Sequence, residues 1–188
     1  MREDWLVVAI SGVTNAGKTT LTNKLKAIIP NCECIYQDLY FREVDDKNHV
    51  YLDDIGHNNW ELLTAVNTDK LWDDIQKVLK RPRVDQSKKN ILLIDGFLVL
   101  NFEKTIKLCD LKYYLKLSED ECRNRRKGRD YNPPDVPGYF DKVVWPEHLK
   151  SFQEMLEMND RVVIMNGSCS VESNMEQILQ DINCRSKV

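Results

Sequence analysis

Eight consecutive residues, Gly12-Val13-Thr14-Asn15-Ala16-Gly17-Lys18-Thr19, fit the pattern G-x-x-x-x-G-K-[ST], whose chemistry is the binding of nucleotide phosphates. Gly12 and Gly17 let the backbone turn tightly and approach a ligand with no Cβ in the way. Successive N–H groups then point inward, and the N-terminus of the following helix adds positive potential. The Lys18 ammonium can reach the β- and γ-phosphates, the Thr19 hydroxyl can ligate Mg²⁺, and Thr20 is placed to add a contact. The loop implies bound phosphate and a divalent cation. It does not say which reaction follows.

Other charged residues suggest one. Asp38 follows a short strand-like run, at the edge where open α/β sheets bind ligands. A carboxylate there can accept a hydroxyl proton and touch the metal's water shell; a turn cap is the competing role for an aspartate. Asp95 ends the most apolar run in the chain, the Walker-B arrangement, which places an acid near the Mg²⁺ of the loop. Arg125, Arg126 and Arg129 are one, three and four positions apart and share a helix face. Their planar forks can hold several phosphate oxygens at once, although a solvated basic face has the same pattern.

The elements that must position these residues can be read in order. Trp5 to Ile10 is an apolar, β-branched run short enough for a buried strand. Thr19 to Ile29 has Leu21, Leu25 and Ile28 at helical spacing, with Pro30 closing it. Glu33 to Tyr36 is a second strand. Arg42 to Asn59 is polar and too long for a simple connection, hence a functional or mobile loop. Trp60-Glu61 leads into a helical pattern that starts at Leu62 and runs to Val78. Lys80 to Asn90 is basic, proline-marked and expected to be solvated surface. Ile91 to Asp95 and Leu111 to Leu117 are the third and fourth strands. Ser118 caps the next helix, with Glu121 at capping-box spacing. That helix runs into Asp130 to Phe140, a Pro/Gly/Tyr loop that looks like a lid. An amphipathic helix over Glu147 to Met158, a fifth strand over Arg161 to Met165 and a closing helix over Val171 to Ile182 complete the chain. Strands alternate with helices, so the expected fold is α/β: a parallel five-stranded sheet with helices on both faces.

Composition narrows the class. The chain has 188 residues, 42% of them hydrophobic, enough for one sizeable core. Its formal net charge of -3 exerts no global pull toward nucleic acid or an anionic membrane. No apolar run approaches a membrane span, and the first strand begins too early to leave room for a secretory leader. A cytoplasmic (or nuclear) protein that binds neither nucleic acid nor membrane is expected. Six cysteines without a C-x-x-C read as reduced thiols, and His49, His57 and His148 have no metal-ligand spacing to them.

Two longer stretches then carry a resemblance. Ile10-Ser11-Gly12-Val13-Thr14-Asn15-Ala16-Gly17-Lys18-Thr19-Thr20 and, more diagnostic, Tyr131-Asn132-Pro133-Pro134-Asp135-Val136-Pro137-Gly138-Tyr139-Phe140-Asp141 with Val144-Trp145-Pro146 resemble the nicotinamide riboside kinases. These are a branch of the uridine-kinase-like phosphate-loop kinases. The similarity runs from about Leu6 to Asn166-Gly167. It implies a P-loop NTPase fold over residues 1–188, with a small lid at about 123–138 and a substrate-side segment at about 38–62. It implies ATP-dependent phosphorylation of the 5′-hydroxyl of nicotinamide riboside for NAD synthesis, with nicotinic acid riboside left open as a second acceptor. ATP, with Mg²⁺, is the implied donor, GTP being open, and a small nucleoside is the implied partner. A monomer is expected, with a further protein partner left open.

The resemblance assigns roles residue by residue. Lys18 and Asp38 match the catalytic pair. Thr19, Asp38 and Asp95 match the metal side. Gly12 to Thr20, Arg125, Arg129 and the Cys169-Ser170-Val171 turn match the nucleotide contacts, the turn holding adenine through its backbone. Asp38, Phe41, Trp60, Glu61, Arg126, Tyr131 and Asn132 match the riboside side. Three positions depart from the family pattern: Asp38-Leu39 replaces two acids, Asp95 a glutamate, and Trp60-Glu61 a Tyr-Asp pair. The shorter Asp95 leaves room for a water before the metal, and the bulkier pair bears on riboside preference. Uridine/cytidine kinase activity is the nearest alternative. A nucleotide-binding switch or adaptor is a different class, disfavoured by Asp38 and the lid arginines and by the lack of an Asn-Lys-x-Asp sequence.

Overall fold

The computed structural model describes residues 2–85 and 87–186. The first strand, β1 (Trp5–Gly12), is buried at every position. Its residues alternate between two cores: Leu6, Val8 and Ile10 face one, Trp5, Val7 and Ala9 the other. A strand apolar on both faces must be covered on both. α1 (Lys18–Ile28) covers the first face with Leu21 and Leu25. β2 (Cys32–Tyr36) follows, then a short hairpin, β3 (Tyr51–Leu52) and β4 (His57–Asn58). α2 (Thr68–Leu79) covers the second face with Leu71, Ile75, Val78 and Leu79. β5 (Asn90–Asp95), α3 (Glu103–Leu108), β6 (Leu111–Lys116), α4 (Glu119–Lys127), α5 (Trp145–Met158), β7 (Val163–Asn166) and α6 (Val171–Arg185) complete the order.

The five long strands form one parallel sheet in the order β2-β5-β1-β6-β7. Both neighbours of β1 come from later in the chain, which puts the change of winding direction beside it and opens a crevice at the strands' carboxyl ends. Register sets what meets there. Asp95 is level with Ile10 on one side and Tyr36 on the other, and Gly12 is level with Leu115. A Cβ on Gly12, whose φ is +145°, would lie 2.4 Å from the Leu115 carbonyl oxygen. Only glycine lets the strand leave the sheet there.

Four sequence expectations need correction. The 42–59 stretch is not wholly irregular, since it contains the β3–β4 hairpin. The helix expected from Leu62 begins at Thr68, because the Asn67 side chain accepts from the Lys70 N–H at 3.1 Å and caps it. Val66, just before, is extended and bridges to Phe41. The 80–90 stretch is only partly solvated surface: Arg83 donates to Asp4 at 2.6 Å, and the buried Asn90 closes the turn by accepting from Val84 N–H and donating to the Pro82 carbonyl. The capping box of α4 forms only one arm. Ser118 Oγ accepts from the Glu121 N–H at 3.3 Å, while the Glu121 carboxylate accepts from Arg125 and Ser168 instead. α3 had no counterpart in the sequence reading. No helix among the described residues is long and apolar enough to cross a membrane. All six cysteines are free thiols.

Candidate active site

The crevice at the carboxyl ends of the strands is a cavity of about 450 Å³. Its floor is the 12–17 loop. Lys18, at the first position of α1, folds back so that its ammonium donates to the Val13 carbonyl at 3.0 Å. Burial pulls that ammonium below its ordinary value, and the Asp95 and Asp38 carboxylates oppose this. Beneath the loop, Cys122 of α4 donates its thiol to the Thr14 carbonyl at 3.2 Å.

The carboxylates are positioned by packing. Gln37, fully buried, opens the 3₁₀ turn Gln37–Tyr40 that carries Asp38. Its side-chain oxygen accepts from the Leu98 N–H at 3.0 Å, pinning the turn to the end of β5. Gly96 permits that approach, because a Cβ there would lie 2.3 Å from Gln37 Cβ. Asp38 itself is exposed and lines the cavity. Asp95 sits deeper, 2% exposed. Burial raises its carboxyl above the usual carboxylate value, with the Lys18 ammonium and the Thr19 hydroxyl opposing. Its Oδ2 is buried without a partner. An orphaned carboxylate oxygen beside a threonine hydroxyl fits a divalent cation or its bound water.

α4 supplies Arg125 and Arg126; the helix ends at Lys127 with Gly128 as its C-cap, so Arg129, expected on the same helix face, comes from the loop that follows. Arg125 donates to the Asn15 carbonyl at 3.2 Å and the Gly167 carbonyl at 3.3 Å, tying the phosphate loop to the turn after β7. Arg129 donates to Asn15 Oδ1 at 3.2 Å, and Asn15 Nδ2 donates to the Tyr131 hydroxyl at 2.9 Å. Arg126 is buried and donates to Asp135 through Nε at 2.6 Å and Nη2 at 2.9 Å. Burial lowers its basicity, but Asp135 and Glu61 more than offset this and raise it. The Tyr131 ring lies 4.2 Å from the guanidinium carbon. Glu61, 3.6 Å from Arg126, has its carboxyl pushed up to about 7, chiefly by burial and with Arg126 opposing.

Aromatic side chains wall the far end. Phe41 stacks on Phe97 at 5.9 Å and meets the edge of Trp60 at 5.8 Å. The Tyr139 hydroxyl accepts from the Trp60 N–H at 2.9 Å and donates to the Asn58 carbonyl at 3.2 Å, which fixes the segment after β4 against the loop after α4.

Most sequence candidates thus meet in one cavity: Thr14, Asn15, Gly17, Lys18, Thr19, Thr20, Asp38, Phe41, Trp60, Glu61, Arg125, Arg126, Arg129, Tyr131 and Asn132 all line it. Gly12, Val13 and Ala16 lie buried in the loop's own turn, and Asp95 lies behind it. Cys169, Ser170 and Val171 do not line the cavity. They follow Gly167, whose carbonyl Arg125 holds, and Ser170 caps α6 by accepting from the Ser173 N–H at 3.2 Å. Arg42, Glu43, Val44, Phe97, Pro133, Asp135 and Tyr139 also line the cavity and were not singled out in the sequence. Phe97, just past the Asp95-Gly96 strand end, had a local signal. Pro133, Asp135 and Tyr139 lie in the stretch that carries the family resemblance, and Arg42, Glu43 and Val44 in the 38–62 segment, but nothing in their own pattern assigned them a role.

A family model described as an AAA domain matches residues 8–146. Nicotinamide riboside kinase 1 from Homo sapiens is 36% identical over 184 residues, covering 94% of this chain and 91% of that protein. A uridine kinase from Borrelia hermsii is 29% identical over 137 residues, covering 66% of each. Among solved structures, shikimate kinase from Acinetobacter baumannii in complex with shikimate is similar in fold, with a TM-score of 0.60 at 19% identity, over 96% of this chain and 94% of that one. By its near full-length identity, the chain belongs to the nicotinamide riboside kinase family.

Proposed function

We propose that the chain transfers the γ-phosphoryl group of ATP to the 5′-hydroxyl of nicotinamide riboside, giving nicotinamide mononucleotide. The observation that carries this reading is the continuity of the cavity. It is lined by Lys18, Thr19 and Arg125 where phosphates would lie and by Asp38, Trp60, Glu61 and Tyr131 where a riboside would lie. A nucleotide switch has no need of the second group.

Phosphoryl transfer depends on positioning and charge stabilisation more than on covalent chemistry with the protein. In this reading the loop N–H groups and Lys18 cradle the β- and γ-phosphates, and Arg125 and Arg129 close on them from α4 and the loop just after it. Lys18 exchanges its bond to the Val13 carbonyl for phosphate oxygens. Asp38 aligns the riboside hydroxyl and takes its proton as the oxygen attacks γ-phosphorus. The bond to the β–γ bridging oxygen breaks and ADP leaves. Glu61 and Arg126 hold the ribose hydroxyls, and Trp60, Phe41 and Tyr131 pack on the ring. Thr19, Asp38 and Asp95 are the residues that would hold Mg²⁺, Asp95 through a water; bound there, the ion neutralises charge on the phosphate oxygens. The loop after α4 excludes water, which limits wasteful hydrolysis.

The test is riboside-dependent ADP formation by the purified chain with ATP and Mg²⁺, with the product identified by mass spectrometry. The expected outcome is mononucleotide and ADP in equal amounts. Slow ATP hydrolysis that ignores added riboside would favour a switch.

A further inference from the structure

We infer that Asp135 is a positioning residue of the acceptor site. By holding the Arg126 guanidinium in a fork, it keeps the Glu61 carboxylate free to receive hydroxyl groups of the riboside. The inference rests on the riboside kinase reading above and deepens it.

The Arg126 guanidinium, 7% exposed, lies between two carboxylates. Asp135 engages its Nε and Nη2 in a bidentate pair, and Nη1 donates to Thr14 Oγ1 at 3.2 Å. Tyr131 covers the guanidinium at 4.2 Å. Glu61 comes no nearer than 3.6 Å, too far for a hydrogen bond. Among the described residues its carboxylate forms no hydrogen bond, although its side chain is only 12% exposed and lines the cavity.

A nearly buried carboxylate without donors is costly. Moving about 1 Å toward the guanidinium would give it a charge-assisted pair. Asp135 prevents this because it already occupies the Nε–Nη2 edge, the geometry that guanidinium satisfies best. Three regions converge on this one cation: Thr14 from the phosphate loop, Glu61 from the substrate-side segment and Asp135 from the loop after α4. With Asp135 removed, the Nε–Nη2 edge has Glu61 as its nearest acid. The pair would close, and Glu61 would be lost as an acceptor for the riboside.

The charges facing Glu61 are Arg126 from α4 and Lys18 from α1, which favour its ionised form, and Asp135 and Asp38, which oppose it. The Tyr139 hydroxyl and the Cys122 thiol are the other titratable neighbours, both pushed above their usual values by burial. His148 lines a small void with Glu61, and burial brings it down to about 4, so it is neutral where Glu61 titrates. Losing Asp135 removes an opposing charge and brings Arg126 closer, and both changes lower the pH at which Glu61 ionises.

The experiment is steady-state kinetics of the full chain with nicotinamide riboside and ATP, for wild type, Asp135→Ala, Asp135→Asn, Glu61→Gln and the Asp135→Ala/Glu61→Gln double variant. Asp135→Ala is expected to raise the riboside KM about tenfold, the loss of roughly one charge-assisted contact, with kcat and the KM for ATP within about twofold. In the Glu61→Gln background the same change adds little, because both act through one carboxylate. The pH midpoint of riboside kcat/KM moves down in Asp135→Ala. If the alanine variant does not fold, Asp135→Asn, of the same shape, carries the same comparisons. An unchanged riboside KM, or an equal loss in both backgrounds with an unmoved midpoint, would overturn the inference. A wild-type chain without riboside turnover would overturn the functional reading and this inference together. Turnover in wild type with Asp135 variants that behave like it would overturn this inference alone.

Discussion

The two ends of the cavity are built in different ways. The end proposed to take the phosphates is eight consecutive residues running from the end of a fully buried strand into the helix it feeds, and the donors such a loop offers are mostly backbone. The end proposed to take the riboside is assembled from side chains on the turn after β2, the segment after β4, the end of β5 and the loop after α4. Few of those side chains are neighbours in sequence. Backbone sites tolerate side-chain change but not crowding. Side-chain sites tolerate neither loss of a group nor loss of what orients it. The phosphate end should therefore fail as a unit, and the riboside end piece by piece.

The sharpest break of this comparison is Asp38→Ala. It should lower transfer about a thousandfold or more, the range for a lost general base with its positioning. ATP affinity, measured by calorimetry, should stay within a few-fold. Near-normal turnover would remove Asp38 from the chemistry. Next is Gly12→Ala, which should damage both stability and ATP binding. Its new methyl would meet the backbone of β6, which cannot yield as a flexible side chain would. A loss of about 2–4 kcal/mol in denaturant unfolding is expected, as for overpacking with backbone strain.

Glu61→Gln should spare ATP affinity and reduce riboside kcat/KM about tenfold at pH 8, as one charge-assisted contact is lost. Its pH dependence has a definite sign. The Glu61 carboxyl is raised to about 7 from an ordinary 4.5, so wild-type riboside kcat/KM should climb as pH rises through 7, and the variant should lose that climb. The linked stability runs the other way. A raised carboxyl contributes stability fully below its unfolded pKa of about 4.5 and loses it as pH rises through the folded value. Glu61→Gln should therefore melt a few degrees higher than wild type at pH 8 and little differently at pH 4.5, as thermal scans would report. The smallest effect belongs to Trp60→Leu. The ring touches Phe41 and His49 at the cavity wall, and its loss should raise the riboside KM about threefold to tenfold, in keeping with an aromatic contact, and leave the KM for ATP alone.

The same contrast explains what could be read from the sequence. The phosphate loop was legible because its function needs glycines at fixed spacing, and the strands because a sheet covered on both faces requires near-continuous apolar runs. Lys18 could be located by the loop pattern and Asp38 and Asp95 by position at strand ends; Lys18 and Asp38 line the cavity, and Asp95 lies buried behind it. Trp60, Glu61 and Tyr131 were singled out through family resemblance, since an aromatic or an acid in a loop has no periodic pattern. Asp135 and Tyr139 lie in the same diagnostic stretch as Tyr131 but were assigned no role of their own. Asp135 owes its place to Arg126, on the helix just before it, and Tyr139 to the distant Trp60 backbone. The short hairpin after β2 and the six-residue α3 were too brief to leave a pattern, and Asn67 moved the start of α2 by taking the Lys70 N–H for a cap.

The central claim is that the side-chain end of the cavity selects a pyridine riboside. The direct measurement is kcat/KM for nicotinamide riboside, nicotinic acid riboside, uridine and cytidine in competition, with ATP and then GTP as donor. Nicotinamide riboside should exceed uridine and cytidine by about a hundredfold or more, the scale of discrimination that lost or unpaired contacts supply. Equal or better turnover of uridine or cytidine would contradict it.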